Sequence, residues 1–285
     1  MSFLKKNLVV SLFSLLVFTN IIVWIIFFGI QPNTFVKVSF LDIGQGDAIL
    51  IQGRNGNQIL IDGGPNRIVL NRLSKVMPFF DKSIDVVIET HPDRDHIGGL
   101  PEVLSRYRVE NFIEPGVESD NSVDDELRRI LNKKKINNIF ARTGQTIGLG
   151  DGSYLEILFP DRDVSGLDTN DASIVARYIY GNSCFLLTGD SPQKIENYLV
   201  SLYGENMKCQ VLKAGHHGSR TSTGDPLLSA VNPSIVIISA GKNNQYGHPH
   251  KDTLDRLAAY DSEVFSTIEF GTIDIFSDGQ KIWRK

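Results

Sequence analysis

Residues 1–30 follow a different hydrophobic pattern from the rest of the chain. After Lys5 and Lys6 the segment NLVVSLFSLLVFTNIIVWIIFFGI, residues 7–30, carries no charge at all. As a helix it would extend about 36 Å at roughly 1.5 Å per residue, enough to cross a bilayer. A cleaved signal peptide has a shorter apolar run and a small-residue cleavage site, whereas this run ends in FFGIQPNTF. The expectation is an uncleaved, single-pass anchor in the cell membrane. The two lysines on the leader, residues 1–6, predict that end inside and residues 31–285 outside the cytoplasm.

Beyond a short QPNT linker the pattern becomes that of a strand-rich domain. FVKVSFLDIG, DAILIQ and NQILIDGG are runs of β-branched and apolar residues, the last two joined by GRNG, whose Asn-Gly favours a hairpin. Helical spacing covers 66–80, and IDVVIETH reads as a buried strand. Helices are expected at 98–107 and around 122–135, with NKKK as a solvated helix end. The second half repeats this grammar. SYLEILFP, ASIVARYIY, SCFLLTGD, CQVLKAGHH and SIVIISAG alternate with helices near 192–203 and 250–260, before a closing strand pair at 263–276. Strands mixed with helices in two similar halves predict packed sheets covered by helices.

Composition adjusts this picture in two places. At 41% hydrophobic and 22% charged, the 285 residues suit a globular core and argue against disorder. The net charge of −4 becomes −6 for residues 31–285 once Lys5 and Lys6 are set aside, which argues against a strongly basic nucleic-acid clamp. Cys184 and Cys209 are too few for a disulfide framework; in their apolar runs they read as small buried residues.

Candidate chemistry collects at strand ends. The stretch ETHPDRDHIGGL, 89–100, places His91, Asp93, Asp95 and His96 beside a glycine pair. The six histidines occur only as His91/His96, His216/His217 in KAGHHGS, and His248/His250 in YGHPH. Each pair follows a strand-forming run, where loops commonly build sites, and so does Asp190 in FLLTGDSP. A lone histidine is usually a hydrogen-bonded structural residue, and Asp93 alone could be a helix cap. Three pairs and an aspartate at matching positions favour a metal site. Imidazole and carboxylate without thiolate suit Zn, Mn or Fe. Two ions sharing a carboxylate suit phosphoester hydrolysis.

His91-x-Asp93-x-Asp95-His96 resembles the H-x-H-x-D-H metal motif of the metallo-β-lactamase superfamily, with aspartate in place of the second histidine. LDIGQGDAILI…ILIDGG, THPDRDHIGGL, LLTGD, LKAGHHGS and SAGKNNQYGHPH follow in order within residues 36–276. Together they resemble the extracellular metallo-β-lactamase-like domain of ComEC-type DNA-uptake proteins, a branch in which that aspartate is characteristic. The resemblance implies an α+β fold, a four-layer αββα sandwich with the site along one edge of the paired sheets. It implies His91, Asp93, Asp95 and His96 as metal ligands, Asp190 as the bridging carboxylate, and one of His216 and His217 completing the set. Asp62 would be a structural aspartate below the site. Many superfamily members have a further histidine before the TGD aspartate; here Asn170 and Asp171 stand in that region. The resemblance implies two divalent ions, and the three carboxylates in the shell favour Mn2+ ahead of Zn2+.

The expected activity is that of a metal-dependent hydrolase, an extracytoplasmic phosphodiesterase or nuclease acting on DNA. Asp95 would orient the attacking water, and His248 would contact the phosphate or protonate the leaving oxygen. The plainer reading of His248 is support for the turn before Pro249. Lys213, Ser219 and Arg220 flank the histidine pair and are candidates for gripping neighbouring phosphates. A single span is read here, so the resemblance carries the domain's chemistry and not transport. Competing readings are a hydrolase of smaller phosphodiesters, one of lactones or thioesters, and a non-catalytic binding module linked to the DNA-uptake machinery. Three carboxylates in one pocket repel unless metals neutralise them, which counts against the last.

Overall fold

A period of two, running through strands that are apolar on both faces, builds this architecture. The structure is a computed structural model that describes residues 2–29 and 34–285. Among the described residues the strands are β1 Val36–Phe40, β2 Ile49–Gln52, β3 Gln58–Ile61, β4 Ser83–Ile88, β5 Arg108–Glu114, β6 Asn137–Phe140, β7 Thr146–Gly148 and β8 Tyr154–Phe159. There follow β9 Val175–Tyr180, β10 Ser183–Leu187, β11 Val211–Lys213, β12 Ile235–Ile238, β13 Glu263–Ser266, β14 Ile273–Ser277 and β15 Ile282–Arg284. They form one sheet in the order β15-β14-β1-β2-β3-β4-β5-β6 and a second in the order β13-β12-β11-β10-β9-β8-β7.

Alternate side chains on each strand leave from opposite faces. Val36, Val38 and Phe40 of β1, Ile49 and Ile51 of β2, and Phe185 and Leu187 of β10 meet between the sheets. Leu50 and Leu60 pack the other way, against helices Ile68–Val76, Leu100–Arg106 and Ser122–Lys134. Leu186, Leu212 and Val236 pack against helices Gln193–Tyr203, Asp225–Val231 and Lys251–Ala258. Three apolar layers therefore separate helices, sheet, sheet and helices, which is the expected αββα sandwich. Strands buried on both faces read as near-continuous apolar runs, and this is why so many were legible. The hairpin at GRNG forms, joining β2 and β3 antiparallel. β3, β4 and β5 run parallel, as do β10, β11, β12 and β13. Loops leaving their carboxyl ends supply most of the site.

Several elements differ from expectation. β5, β6 and β7 were not foreseen; β6, NNIF, is a mostly exposed edge strand with little apolar content to announce it. The helix expected at 98–107 is two helices, Arg94–Ile97 and Leu100–Arg106, parted by Gly98 and Gly99. A Cβ on Gly98 would lie 2.2 Å from the Pro65 carbonyl oxygen, and one on Gly99 2.2 Å from that of Gly63. Only glycine lets the ligand loop lie against the 63–65 turn. The closing pair at 263–276 is not a pair: β13 joins β12 in one sheet while β14 joins β1 in the other. Cys184 and Cys209, read as unpaired buried residues, form a disulfide that ties β10 to the residues entering β11. Parallel neighbouring strands bring the two together across 25 residues, a proximity that sequence spacing does not reveal.

The chain divides into two compact units, Met1–Asn33 and Thr34–Lys285. The first contains helix Ser2–Gly29, and its Asn7–Trp24 stretch is long and apolar enough to cross a membrane. Met1, Ile30 and the linker residues 31–33 lie outside the described residues.

Two outcomes are expected. Residues 31–285 made without the helix should be soluble and unfold in one cooperative transition, because the second unit holds its own three apolar layers. Insoluble material would contradict this. Replacing Cys184 and Cys209 together by serine should cost about 3 kcal/mol in urea unfolding, the loop-closure contribution for a bridge of this span. An unchanged midpoint would mean that the bridge does not constrain the unfolded chain.

Candidate metal centre

The site is assembled from behind by hydrogen bonds that fix ring orientation. After β4, Thr90 donates its backbone N–H and its hydroxyl to the two oxygens of Asp62, at 2.8 and 2.7 Å. Asp62 occupies the left-handed region, with φ 59°, in the turn leaving β3. Its Oδ2 also takes His96 Nδ1 at 2.7 Å. The other nitrogen of His96, Nε2, then stands 3.3 Å from Asp190 Oδ2 and 3.3 Å from His217 Nε2. His217 is fixed in the same way, its Nδ1 donating to the Ser239 carbonyl after β12 at 3.0 Å. Its Nε2 lies 3.3 Å from Asp190 Oδ2 and 3.3 Å from Asp95 Oδ2.

Those separations have a simple reading. Donor atoms bound at about 2.0–2.1 Å around a tetrahedral ion are about 3.3–3.4 Å apart. His96, Asp190 and His217 therefore present three donor atoms at the mutual spacing of a divalent metal shell, and Asp95 Oδ2 stands at the same distance from His217 Nε2. His216 and His217 hold φ values of 49° and 56°, conformations that non-glycine residues adopt at a cost of about 1–3 kcal/mol each. That strain sends the two rings in different directions. His217 is buried among the four donors, and His216 is partly exposed with Nε2 3.6 Å from Asp190 Oδ2.

Asp47, which precedes β2, was not singled out in the sequence. It joins His96, Asp190 and His217 in a set whose ligand-type atoms all lie within 4.8 Å of one another. Its oxygens nevertheless face the rear nitrogens, His217 Nδ1 at 3.6 Å and His96 Nδ1 at 4.0 Å. Asp47 also forms an ion pair with Lys213. It stands behind the histidines as a charge, whereas Asp95 is the carboxylate on the Nε2 side of His217. The signal in the sequence was an aspartate set between two apolar runs in GQGDAIL.

The remaining expected residues divide clearly. His91 is fully buried, its Nδ1 3.0 Å from the Thr90 hydroxyl, and its Nε2 has no hydrogen-bond partner among the described residues. That orphaned nitrogen faces Asp93 Oδ2 at 3.6 Å. Asp93 holds the position before helix Arg94–Ile97, but its side chain makes no capping hydrogen bond. His248 belongs to the same wall, its ring stacked on Tyr246 with centroids 5.6 Å apart and its Nδ1 3.4 Å from Gln45 Nε2.

Lys213 and Ser219 correct the expectation of phosphate-gripping residues. Lys213 is fully buried, its ammonium committed to Asp47 and, at 3.1 Å, to the Gly189 carbonyl. Ser219 is buried as well, its hydroxyl 2.9 Å from that of Thr221. Arg220 is exposed, with its backbone N–H on His250 Nδ1 at 3.1 Å. Asp171 is turned away to an ion pair with Lys194.

The electrostatics follow from burial against charge. Burial alone would lower the histidine pKa values, but Asp190 and Asp62 outweigh it and hold His96 well above the usual imidazole range. Asp190 and Asp47 do the same for His217. Burial would raise the Asp190 carboxyl, yet His217 and His96 hold it well below its ordinary value. Against the same burial, Lys213 and His217 hold Asp47 at about 2. His248 shifts the opposite way: burial, then the neighbouring His216 and His217, pull it down to about 4. Beside Asp95 a groove of about 480 Å³ opens, lined in part by Gln45, Arg94, Asn243, Gln245 and Tyr246.

Fold and site together define a class. The chain belongs to the metallo-beta-lactamase superfamily, whose family model matches residues 41–242. It is a hydrolase fold with a buried Asp/His site for divalent metal. Among curated proteins it is 31% identical over 254 residues to ComE operon protein 3 of Bacillus subtilis, covering 83% of this chain and 32% of that protein. It is 33% identical over 243 residues to Recombination protein 2 of Haemophilus influenzae, covering 84% of this chain and 28% of that protein. The chain thus spans about a third of the length of these relatives. Among solved structures, CmlA, a diiron beta-hydroxylase from Streptomyces venezuelae, matches with a TM-score of 0.54 at 14% identity, covering 89% of this chain and 55% of that one. Igni18, a metallo hydrolase from Ignicoccus hospitalis, matches with a TM-score of 0.51 at 17% identity, covering 84% and 98%. At those identities the likeness shows the fold alone.

Metal entry must expel protons that Asp190 helps His96 and His217 to keep. In the metal-free domain their stabilising pairing is fully present below the unfolded imidazole pKa of about 6.5. It is lost as pH rises through the raised folded values. Metal binding gains over the same range, because the competing proton disappears. The gap in melting temperature between metal-loaded and chelator-treated protein should therefore widen from pH 6 to pH 8.5. A gap that stays constant or narrows would place the bound ion elsewhere.

Proposed function

We propose that the domain is a metal-dependent phosphodiesterase that cleaves DNA outside the cytoplasm, in a DNA-uptake role, held to the membrane by the apolar helix. The observation that carries the hydrolase reading is the mutual 3.3 Å spacing of the His96, Asp190 and His217 donor atoms, with Asp95 3.3 Å from His217 and both rings fixed from behind. The names of the curated relatives, among them a recombination protein and a competence protein, support the DNA role. Because those proteins are about three times as long, their role enters here as part of the proposal.

Asp95, His96, Asp190 and His217 would hold one ion. His91, Asp93 and Asp190 would hold a second, and the unpartnered His91 Nε2 facing Asp93 favours this. His217 takes the ligand position, since its Nε2 faces three other donors, while His216 lines the rim. The carboxylate share favours Mn2+ over Zn2+. When bound, the ions supply charge for the phosphoryl oxygens and lower the pKa of bound water.

The chain's own groups do the remaining work. Asp95, ionised and partly exposed beside the groove, orients the attacking water. His248 is neutral near pH 7, and with Nδ1 accepting from Gln45 it offers Nε2–H to a phosphoryl oxygen. Direct protonation of the leaving oxygen is therefore set aside for it. Arg94 meets a neighbouring phosphate, and the exposed Tyr246 ring stacks on a base. A base-free diester, lactone or thioester has no use for that aromatic wall.

Purified domain with Mn2+ should cleave an oligonucleotide and bis-p-nitrophenyl phosphate, faster than with Zn2+. Turnover of neither would leave the binding-module reading standing. Tyr246→Ala should raise KM for the oligonucleotide about tenfold or more, as expected for loss of one base-stacking contact. An unchanged KM would count against a nucleotide substrate.

Asp93 separates ligand from cap. Asp93→Ala should remove one ion per chain and nearly all turnover. Asp93→His should shift preference toward Zn2+ and lose part of the Mn2+ activity. A helix cap would instead cost about 1 kcal/mol of stability and leave metal content unchanged. Metal analysis with thermal melting of both variants decides between them.

A further inference from the structure

On the outer side of the first sheet, the turn between helix Ile68–Val76 and β4 presents two aromatic rings to water. Phe79 and Phe80 are 81% and 91% exposed, the highest values among the large hydrophobic side chains of residues 34–285. The turn is a built one. Asp81 N–H donates to the Pro78 carbonyl at 2.9 Å, closing it around the two phenylalanines. The Asp81 carboxylate then receives Gln58 Nε2 at 2.5 Å and the Ser83 N–H at 3.0 Å. The rings meet edge to face with centroids 5.2 Å apart. Two adjacent phenylalanines held outward by a braced turn need a partner that accepts apolar rings.

Charge around the turn identifies that partner. Lys75 and Lys82 are exposed on either side of it. Lys82 and Arg106 line a cleft of about 380 Å³ beside it, together with Ser74 and Tyr107. Lys82 Nζ lies 5.9 Å from the centroids of both Phe79 and Tyr107. Among the described residues Arg106 pairs with the partly exposed Glu102 at 3.6 Å, a contact that solvent and salt weaken. Lys37 Nζ, one residue into β1, donates to the Val76 carbonyl at 3.1 Å. The helix end that leads into the turn therefore lies beside the first strand of the domain.

We propose that the Pro78–Asp81 turn docks on an anionic lipid bilayer, with Phe79 and Phe80 at headgroup depth and Lys75, Lys82 and Arg106 against lipid phosphates. This rests on the membrane part of the function proposed above. It goes beyond a tether: the domain itself touches the bilayer, through a fixed face.

The test uses the full chain in lipid vesicles. With Cys184 and Cys209 bonded to each other, Phe80→Cys supplies a single reactive thiol for an environment-sensitive fluorophore. Glu205→Cys, on the helical layer of the other sheet, supplies the control. In vesicles containing phosphatidylglycerol the label at 80 should shift to the blue and be quenched by nitroxide lipids, and the label at 205 should do neither. Lys82→Glu combined with Arg106→Glu should abolish the shift. Water-like emission at 80, or equal quenching at both positions, overturns the proposal. Flotation of the chain with the vesicles reports the helix separately, so failure of the anchor and failure of the turn are told apart.

Discussion

The Asp190 carboxylate is the interaction on which this domain's site depends. It is almost fully buried, and the same Oδ2 lies 3.3 Å from the Nε2 atoms of both His96 and His217. A buried carboxylate is tolerated only with compensating charge and hydrogen bonds. Lys213, 3.7 Å from Oδ1, supplies one fixed cation from beneath. The outward side is left to the histidines, and these present to it the nitrogens that a metal requires. Neutralisation from below therefore leaves the upper side free for an exchangeable cation.

The fold makes that arrangement rigid. Each ring in the inner set is held through its rear nitrogen, His96 by Asp62 and His217 by the Ser239 carbonyl. Those holders lie at the ends of β3 and β12, in different sheets. The site thus straddles the sandwich, and its precision depends on the apolar layer that fixes one sheet against the other. Rear hydrogen bonds of this kind set the tautomer and direction of a metal-binding ring. Lys213 and Asp47, both buried, extend the same network downward. Their burial explains why a lysine next to the histidine pair is not available to substrate.

Much of this was legible because the chemistry that signals it is local. Strands apolar on both faces announce themselves as uninterrupted runs, and the ligand residues follow such runs directly. The choice between His216 and His217 was not legible. Adjacent identical residues are distinguished only by their left-handed backbone and by what lies 22 positions further on, at Ser239. Asp47 and the disulfide escaped for the same reason, since both depend on strand neighbours distant in sequence. Edge strand β6 carried too little apolar content to read. The paired phenylalanines at 79 and 80 were absorbed into a helix, because a helical period cannot distinguish a buried aromatic from one held out by a turn.

The most direct measurement is anomalous diffraction from crystals of the domain loaded with Mn2+ or Zn2+. The account predicts an ion within about 2.0–2.3 Å of one oxygen each from Asp95 and Asp190 and of Nε2 from His96 and His217. His216 would lie outside that shell. An ion bound instead through His216 or Asp47, or no anomalous peak among these four residues, would contradict it.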